Sequence, residues 1–197
     1  MRTRDKQRLA RHIVATYEAA TPAERVEGRS WYDTARGVAV ELDKDNPTRA
    51  AAVIAVLSPM VHWDRNVKLA ADAYAGIPLG CLKRNADKAM AIVNGGDPEE
   101  IVSGSKVRAF WRAIADPKDP RAIVIDRHAI DVAFGEVMDD ERRGRILGKR
   151  GAYGEVSDRY VYATEIINER FGVDLTPVQV QATTWVAWRR MKKSFSH

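Results

Sequence analysis

The segment "DNPTRAAAVIAVLSP", residues 45–59, constrains the fold more than any other stretch of the chain. Pro47 suits the first turn of a helix, where its missing N–H costs no hydrogen bond, and Pro59 marks the stop. Between them Ala50 to Leu57 are alanine, valine, isoleucine and leucine without a polar face. A helix that is apolar on every side has to be buried, so this one is expected in the core with other elements packed around it.

The surrounding elements also read as helices. In "DKQRLARHIVATYEAA" the apolar residues Leu9, Ile13, Val14 and Tyr17 recur at helical spacing and define one inner face. "TPAERVEGRSWYDTARGVAVEL" opens on Thr21, Pro22 and Glu24, a capping box with proline at the first helical position. "HWDRNVKLAADAYAG" predicts a helix ended by Gly76, with Val67, Ala70, Ala71 and Tyr74 inward. "NADKAMAIV" is a shorter helix before the turn "NGGDP", and "SKVRAFWRAIADP" runs to the boundary set by Pro117. "RHAIDVAFG" closes at Gly135, and "GKRGAYG", with three glycines and two cations, is expected as a mobile loop. The helices "VSDRYVYATEIINERFG" and "TPVQVQATTWVAWRRMKK" complete the chain, the latter opened by Thr176 and Pro177. Ala122 to Ile125 have an extended look, but four residues make no sheet. The expected fold class is all-α, a compact array of about ten helices forming one domain over residues 1–197, or one domain with two lobes around a cleft.

Composition narrows the function classes. Cys81 is the only cysteine, which excludes an intramolecular disulfide, a four-thiolate zinc site and a cysteine-ligated iron–sulfur cluster. No stretch approaches the roughly 20 apolar residues that span a bilayer, and the amphipathic N-terminus lacks a signal-peptide core, so a cytoplasmic location without a membrane partner is expected. A formal charge of +5 favours a polyanionic partner.

Three segments carry chemistry: "VLSPMVHWDRNVKLA", "GSKVRAFWRAI" and "AIVIDRHAID". In the last, an apolar run ends in a carboxylate, Asp126. One reading is local, since Asp126 can cap the helix that begins at Arg127. The other is that the fold aims this carboxylate outward. An apolar helix running into Leu-Ser, a short turn and a polar helix with Asn and Lys resembles the core signature of the helix-hairpin-helix DNA glycosylases. In that family an apolar run ending Val-Asp-Thr-His supplies the catalytic aspartate, and Ile125, Asp126, Arg127 and His128 resemble it with Arg in place of Thr. The likeness covers residues 46 to 135; the chain is also similar to small proteins carried by actinobacterial phages.

The resemblance implies a DNA partner, either duplex with a flipped base or single-stranded; the iron–sulfur cluster that some members carry is not expected with Cys81 alone, and no cofactor is expected. It implies Asp126 at the reacting centre, where a carboxylate stabilises positive charge developing on the sugar or activates the attacking group. Lys106 fits either of two places. It matches the hairpin lysine, the nucleophile of bifunctional members, or a non-catalytic lysine of an earlier helix of the form Ser-Lys-Ala-x-x-Ile, in which case the hairpin is missing. The family hairpin reads Leu-Pro-Gly-Val-Gly-Arg-Lys-Thr-Ala, whereas "IVSGSKVRAFW" has one glycine and no proline, so the hairpin is degenerate or lost. Met60, His62 and Trp63 are suited to the wall of a base pocket, facing the start of the "RHAID" helix across a cleft. His128 belongs to that lining, more as a structural hydrogen-bonding residue than as an acid or base, and no second His or Cys at ligand spacing supports a metal. Arg108, Arg112, Arg127, Lys149 and Arg150 are the candidate phosphate contacts. Trp185 and Trp188, three apart on one helix, read as core, while Gln179 and Gln181, two apart, face different ways. "WRRMKK" reads as a solvated basic helix end. A catalytically silent nucleic-acid-binding or inhibitor protein on the same scaffold is the alternative.

Overall fold

A computed structural model describes residues 3–194, with side chains over residues 7–192; Asp5, Lys6 and Lys193 thus lie outside the described side chains. Eleven helices form among the described residues: α1 (Thr3–Glu18), α2 (Pro22–Leu42), α3 (Pro47–Leu57), α4 (Trp63–Tyr74), α5 (Lys83–Val93), α6 (Pro98–Ile101), α7 (Ser105–Ala115), α8 (Arg127–Phe134), α9 (Asp140–Leu147), α10 (Ala152–Phe171) and α11 (Pro177–Ser194). No strand occurs among the described residues, so the chain is all-α. No helix there is long and apolar enough to cross a membrane.

The chain divides into two units, one made of residues 1–31 and 123–197 and the other of residues 32–122. In the second unit α3 is central and packs against α4, α5 and α7. Every residue from Ala50 to Leu57 is buried, as its sequence requires. Asn46 caps α3 by accepting from the Arg49 N–H at 2.9 Å. The buried Asp43 carboxylate ties the end of α2 to this start: it accepts from Arg49 Nε at 2.8 Å and from the Tyr74 hydroxyl at 3.1 Å. Burial pushes the Asp43 carboxyl up, but the Asn46 N–H, Arg49 and Tyr74 outweigh it and leave it below the ordinary value.

In the first unit α1 packs against α8, α10 and α11, burying Leu9, Ile13, Val14 and Tyr17. The capping box at α2 forms, with Thr21 N–H donating to Glu24 Oε2 at 2.8 Å and Glu24 N–H to Thr21 Oγ1 at 3.3 Å. Gly28 is where α2 meets α11: a Cβ there would lie 2.3 Å from the Thr183 Cα, so only glycine fits.

Three local expectations are corrected. The inner face of α4 is Asn66, Leu69, Ala70 and Ala73, while Ala71 is exposed, because Asn66 turns inward and rotates the buried stripe by one position. Asp97 and Pro98 start an additional short helix, α6, within what composition gives as a turn. "GKRGAYG" is not a single loop. Gly148 ends α9, Gly151 at φ +81° precedes α10, and Tyr153 and Gly154 already belong to that helix. Ala122 to Ile125 form no strand, as expected; the Tyr153 hydroxyl donates to the Ile123 carbonyl at 2.9 Å and accepts from the Ile125 N–H at 3.0 Å.

Candidate functional site

Ile123, Val124 and Ile125 are buried, and the Tyr153 hydroxyl satisfies the Ile123 carbonyl and the Ile125 N–H between them. This anchoring fixes where the chain turns into α8, and there stands Asp126, half-buried with extended backbone at φ −96°, ψ −175°. Its Oδ1 accepts from the Ala129 N–H at 2.8 Å, so the helix cap read from sequence forms. Among the described residues nothing donates to Oδ2. A side chain held through one oxygen keeps the other available at a fixed position, which is the condition for a preorganised carboxylate.

Its neighbours are aromatic. The His128 ring meets Trp185 edge-on with centroids 6.4 Å apart, and its Nδ1 is enclosed with no hydrogen-bond partner among the described residues. Burial holds the His128 imidazole below its ordinary pKa, against the pull of Asp126. The Tyr153 hydroxyl is pushed up to about 12, chiefly by burial, with the Asp126 charge adding to it. Tyr160, fully buried, donates to the Ala129 carbonyl at 3.0 Å, and burial raises its pKa far above the ordinary value. Arg127 is exposed without an acidic partner among the described residues, as are Lys149 and Arg150 in the turn between α9 and α10.

Met60, His62, Trp63, Lys106, Arg108 and Arg112 belong to the second unit, and Asp126, Arg127, His128, Lys149 and Arg150 to the first. The two walls expected for one cleft thus come from different units. Met60 is 93% exposed and has φ +64°, a left-handed conformation that no other described non-glycine residue adopts. Its turn is pinned by the Ser58 hydroxyl on the Ala55 carbonyl at 2.8 Å and by the Val61 N–H on the Ser58 carbonyl at 3.2 Å. His62 is exposed at the start of α4 and Trp63 is half-buried. Lys106 is exposed in the first turn of α7. Gly104, at φ +85°, precedes that helix, so α6 and α7 are joined only by Val102, Ser103 and Gly104. Arg108 is committed to Glu99, donating to its carboxylate at 2.8 Å and its carbonyl at 2.6 Å, and Arg112 lies 3.8 Å from the same carboxylate.

A depression of about 350 Å³ in the second unit has Thr48, Arg49, Asp97, Glu99 and Trp111 in its walls. Its charged groups are already occupied: Arg49 by Asp43, Glu99 by Arg108, and Asp97 by the Glu99 N–H it caps. Among the described residues no group of histidines, cysteines and carboxylates could hold a metal ion.

Sequence reasoning missed two residues near Asp126. Trp188 is core, but Trp185 is half-exposed, and Arg189 lies over its ring at 4.6 Å. Asp131, one turn beyond His128, is fully buried and forms a two-point pair with Arg143 at 2.9 and 2.7 Å. The second "ID" of "AIVIDRHAID" was the available signal for Asp131.

These features define an all-helical protein with a capped, partly available carboxylate beside an aromatic and cationic surface. The chain belongs to DUF7178, a family of unknown function, which matches residues 1–192. No curated protein matches it. Nor does any solved structure.

Proposed function

We propose that the chain is a DNA-acting protein, similar in type to the helix-hairpin-helix glycosylases, that holds a flipped nucleotide with Asp126 at the reacting centre. The observation that carries this reading is the Asp126 carboxylate, fixed through Oδ1 by the Ala129 N–H and with Oδ2 left without a donor. In base excision it would stabilise positive charge on the sugar; in modification of a hypermodified base in phage DNA it would orient or deprotonate the attacking group. The tight α6–α7 connection with Gly104 at positive φ supports aligning Lys106 with the hairpin lysine. The turn holding Met60 outward supports a role against DNA, since apolar side chains of this kind enter between base steps. The departure of the hairpin from the family pattern favours modification over ordinary repair.

A specific observation also favours the silent alternative. Arg108 and Arg112 share Glu99, which removes two of the expected phosphate contacts, and Asp126 already has a structural task as a cap. Both readings require binding to DNA. Arg127, Lys149, Arg150 and Arg189 are among the uncommitted cations of the first unit, and about four phosphate contacts of this kind give a log–log salt slope of about −3 to −4. Titration of duplex and single-stranded DNA across a salt series should show that steep loss. Absence of binding to either strand form at low ionic strength overturns the reading.

A further inference from the structure

We propose that Trp185 and Arg189 form a stacking site for a single unstacked nucleotide, its base on the Trp185 ring and its phosphate on Arg189. This deepens the nucleic-acid reading above and rests on it.

Trp185 is half-buried on α11, with part of its ring left at the surface. Its orientation is fixed by two edge contacts, Trp31 at 6.0 Å and 67° and His128 at 6.4 Å and 74°. Neither neighbour lies parallel to the ring, so neither stacks on it. Arg189, one turn along the helix, takes a face of the ring at 4.6 Å. It is exposed and has no acidic partner among the described residues. The next residue shows the contrast, for Arg190 is tied to the Glu24 carboxylate at 2.7 Å and to the Ala19 carbonyl at 3.0 Å. Of two adjacent arginines, then, one clamps helices together and the other rests on an aromatic ring with its charge uncommitted.

A guanidinium on a ring is weakly hydrated and planar, and it is easily exchanged for another planar group while it turns its N–H edge to a phosphate. A rigid aromatic face beside a free guanidinium matches a ligand with one planar ring system and one anionic group. An unstacked nucleotide has both, whereas a base within a duplex cannot reach a ring lying on the protein surface.

The test compares two single strands about 12 nucleotides long, a thymidine oligonucleotide and the same backbone without bases, binding to the full chain at low salt. The wild type should prefer the base-bearing strand by about tenfold, the stacking expected of one base. Trp185→Ala should abolish that preference while leaving affinity for the abasic strand unchanged, and Trp185→Phe should retain part of it. Arg189→Gln should weaken both strands alike and reduce the salt slope by about one. If the wild type binds both strands but Trp185→Ala, or Trp185→Phe should the alanine variant not fold, keeps the full preference, the stacking site is wrong and the DNA reading survives. Equal binding of both strands by the wild type also refutes the stacking site, leaving phosphate contacts alone. If neither strand binds, the DNA reading fails and takes the stacking site with it.

Discussion

Two isoleucine–aspartate pairs stand along α8, one at its N-terminal cap and one in its second half, and the two aspartates are held in opposite ways. Asp131, toward the C-terminal end, is closed off: Arg143 Nε and Nη2 donate to both its oxygens, and the Met138 N–H donates to one of them at 3.2 Å. Arg143 is itself buried and has a second partner in Asp140 at 2.8 Å. This pair straps α9 and the segment before it to α8. Asp126, at the N-terminal end, accepts one backbone N–H and stays half-buried. A carboxylate satisfied on every side is scaffold, whereas one satisfied through a single oxygen retains capacity for a ligand. Two residues with the same sequence neighbour thus separate by the donors around them.

The sharpest way to break this comparison is Asp131→Asn. It leaves the Arg143 charge buried against a neutral amide, and removing one partner of a buried pair costs about 3 to 5 kcal/mol, so chemical denaturation should show a loss of that order. A loss below about 1 kcal/mol would mean that Asp131 is not the strap described. Tyr153→Phe is expected to have the next largest effect. It strands the Ile123 carbonyl and the Ile125 N–H, and buried groups left unpaired cost about 1 to 3 kcal/mol. The same variant reports on pH. With its folded pKa raised to about 12, Tyr153 contributes stability that is fully present below about pH 10, the unfolded value, and is lost as the pH rises toward 12. The phenylalanine variant should lack that part of the alkaline loss, and an unchanged alkaline profile would contradict the assignment. The smallest effect belongs to Asp126→Asn, because Asn caps as well as Asp and only the favourable charge at the helix start is lost, about 0.3 to 1 kcal/mol. A loss comparable to that of Asp131→Asn would place both aspartates in the scaffold.

The scaffold was more legible than the site. Helix starts announced themselves at Thr21, Asn46 and Thr176, where a capping residue precedes proline, since both residues act through local backbone geometry, although the same pair at Asp97 and Pro98 reads as a turn. The central helix was legible because no amphipathic arrangement of Ala50 to Leu57 exists. The cap at Asp126 is likewise local. What escaped is set by tertiary packing and by partners beyond the local helix turn. Asn66 faces inward on α4 against the periodic reading, and α9 is a charged helix whose buried member is an arginine, Arg143, paired 12 residues away in the chain. Trp185 and Trp188 are equivalent by spacing, and only packing separates the buried ring from the half-exposed one. The tight turn at Gly148 to Gly151 reads as loop because glycine composition does not distinguish a long loop from one helix end followed by one helix start.

The central claim is that Asp126 serves a ligand as well as its helix. The most direct test is a single-turnover assay of Asp126→Asn beside the wild type on duplexes bearing modified bases or abasic sites, with stability and DNA affinity measured on the same preparations. The account predicts a stability loss of no more than about 1 kcal/mol, DNA binding within a factor of about two of wild type, and a chemical rate lower by about 100-fold or more, the scale of a lost electrostatic stabiliser. Wild-type rates in the asparagine variant of an active preparation would contradict it and leave Asp126 as a helix cap alone.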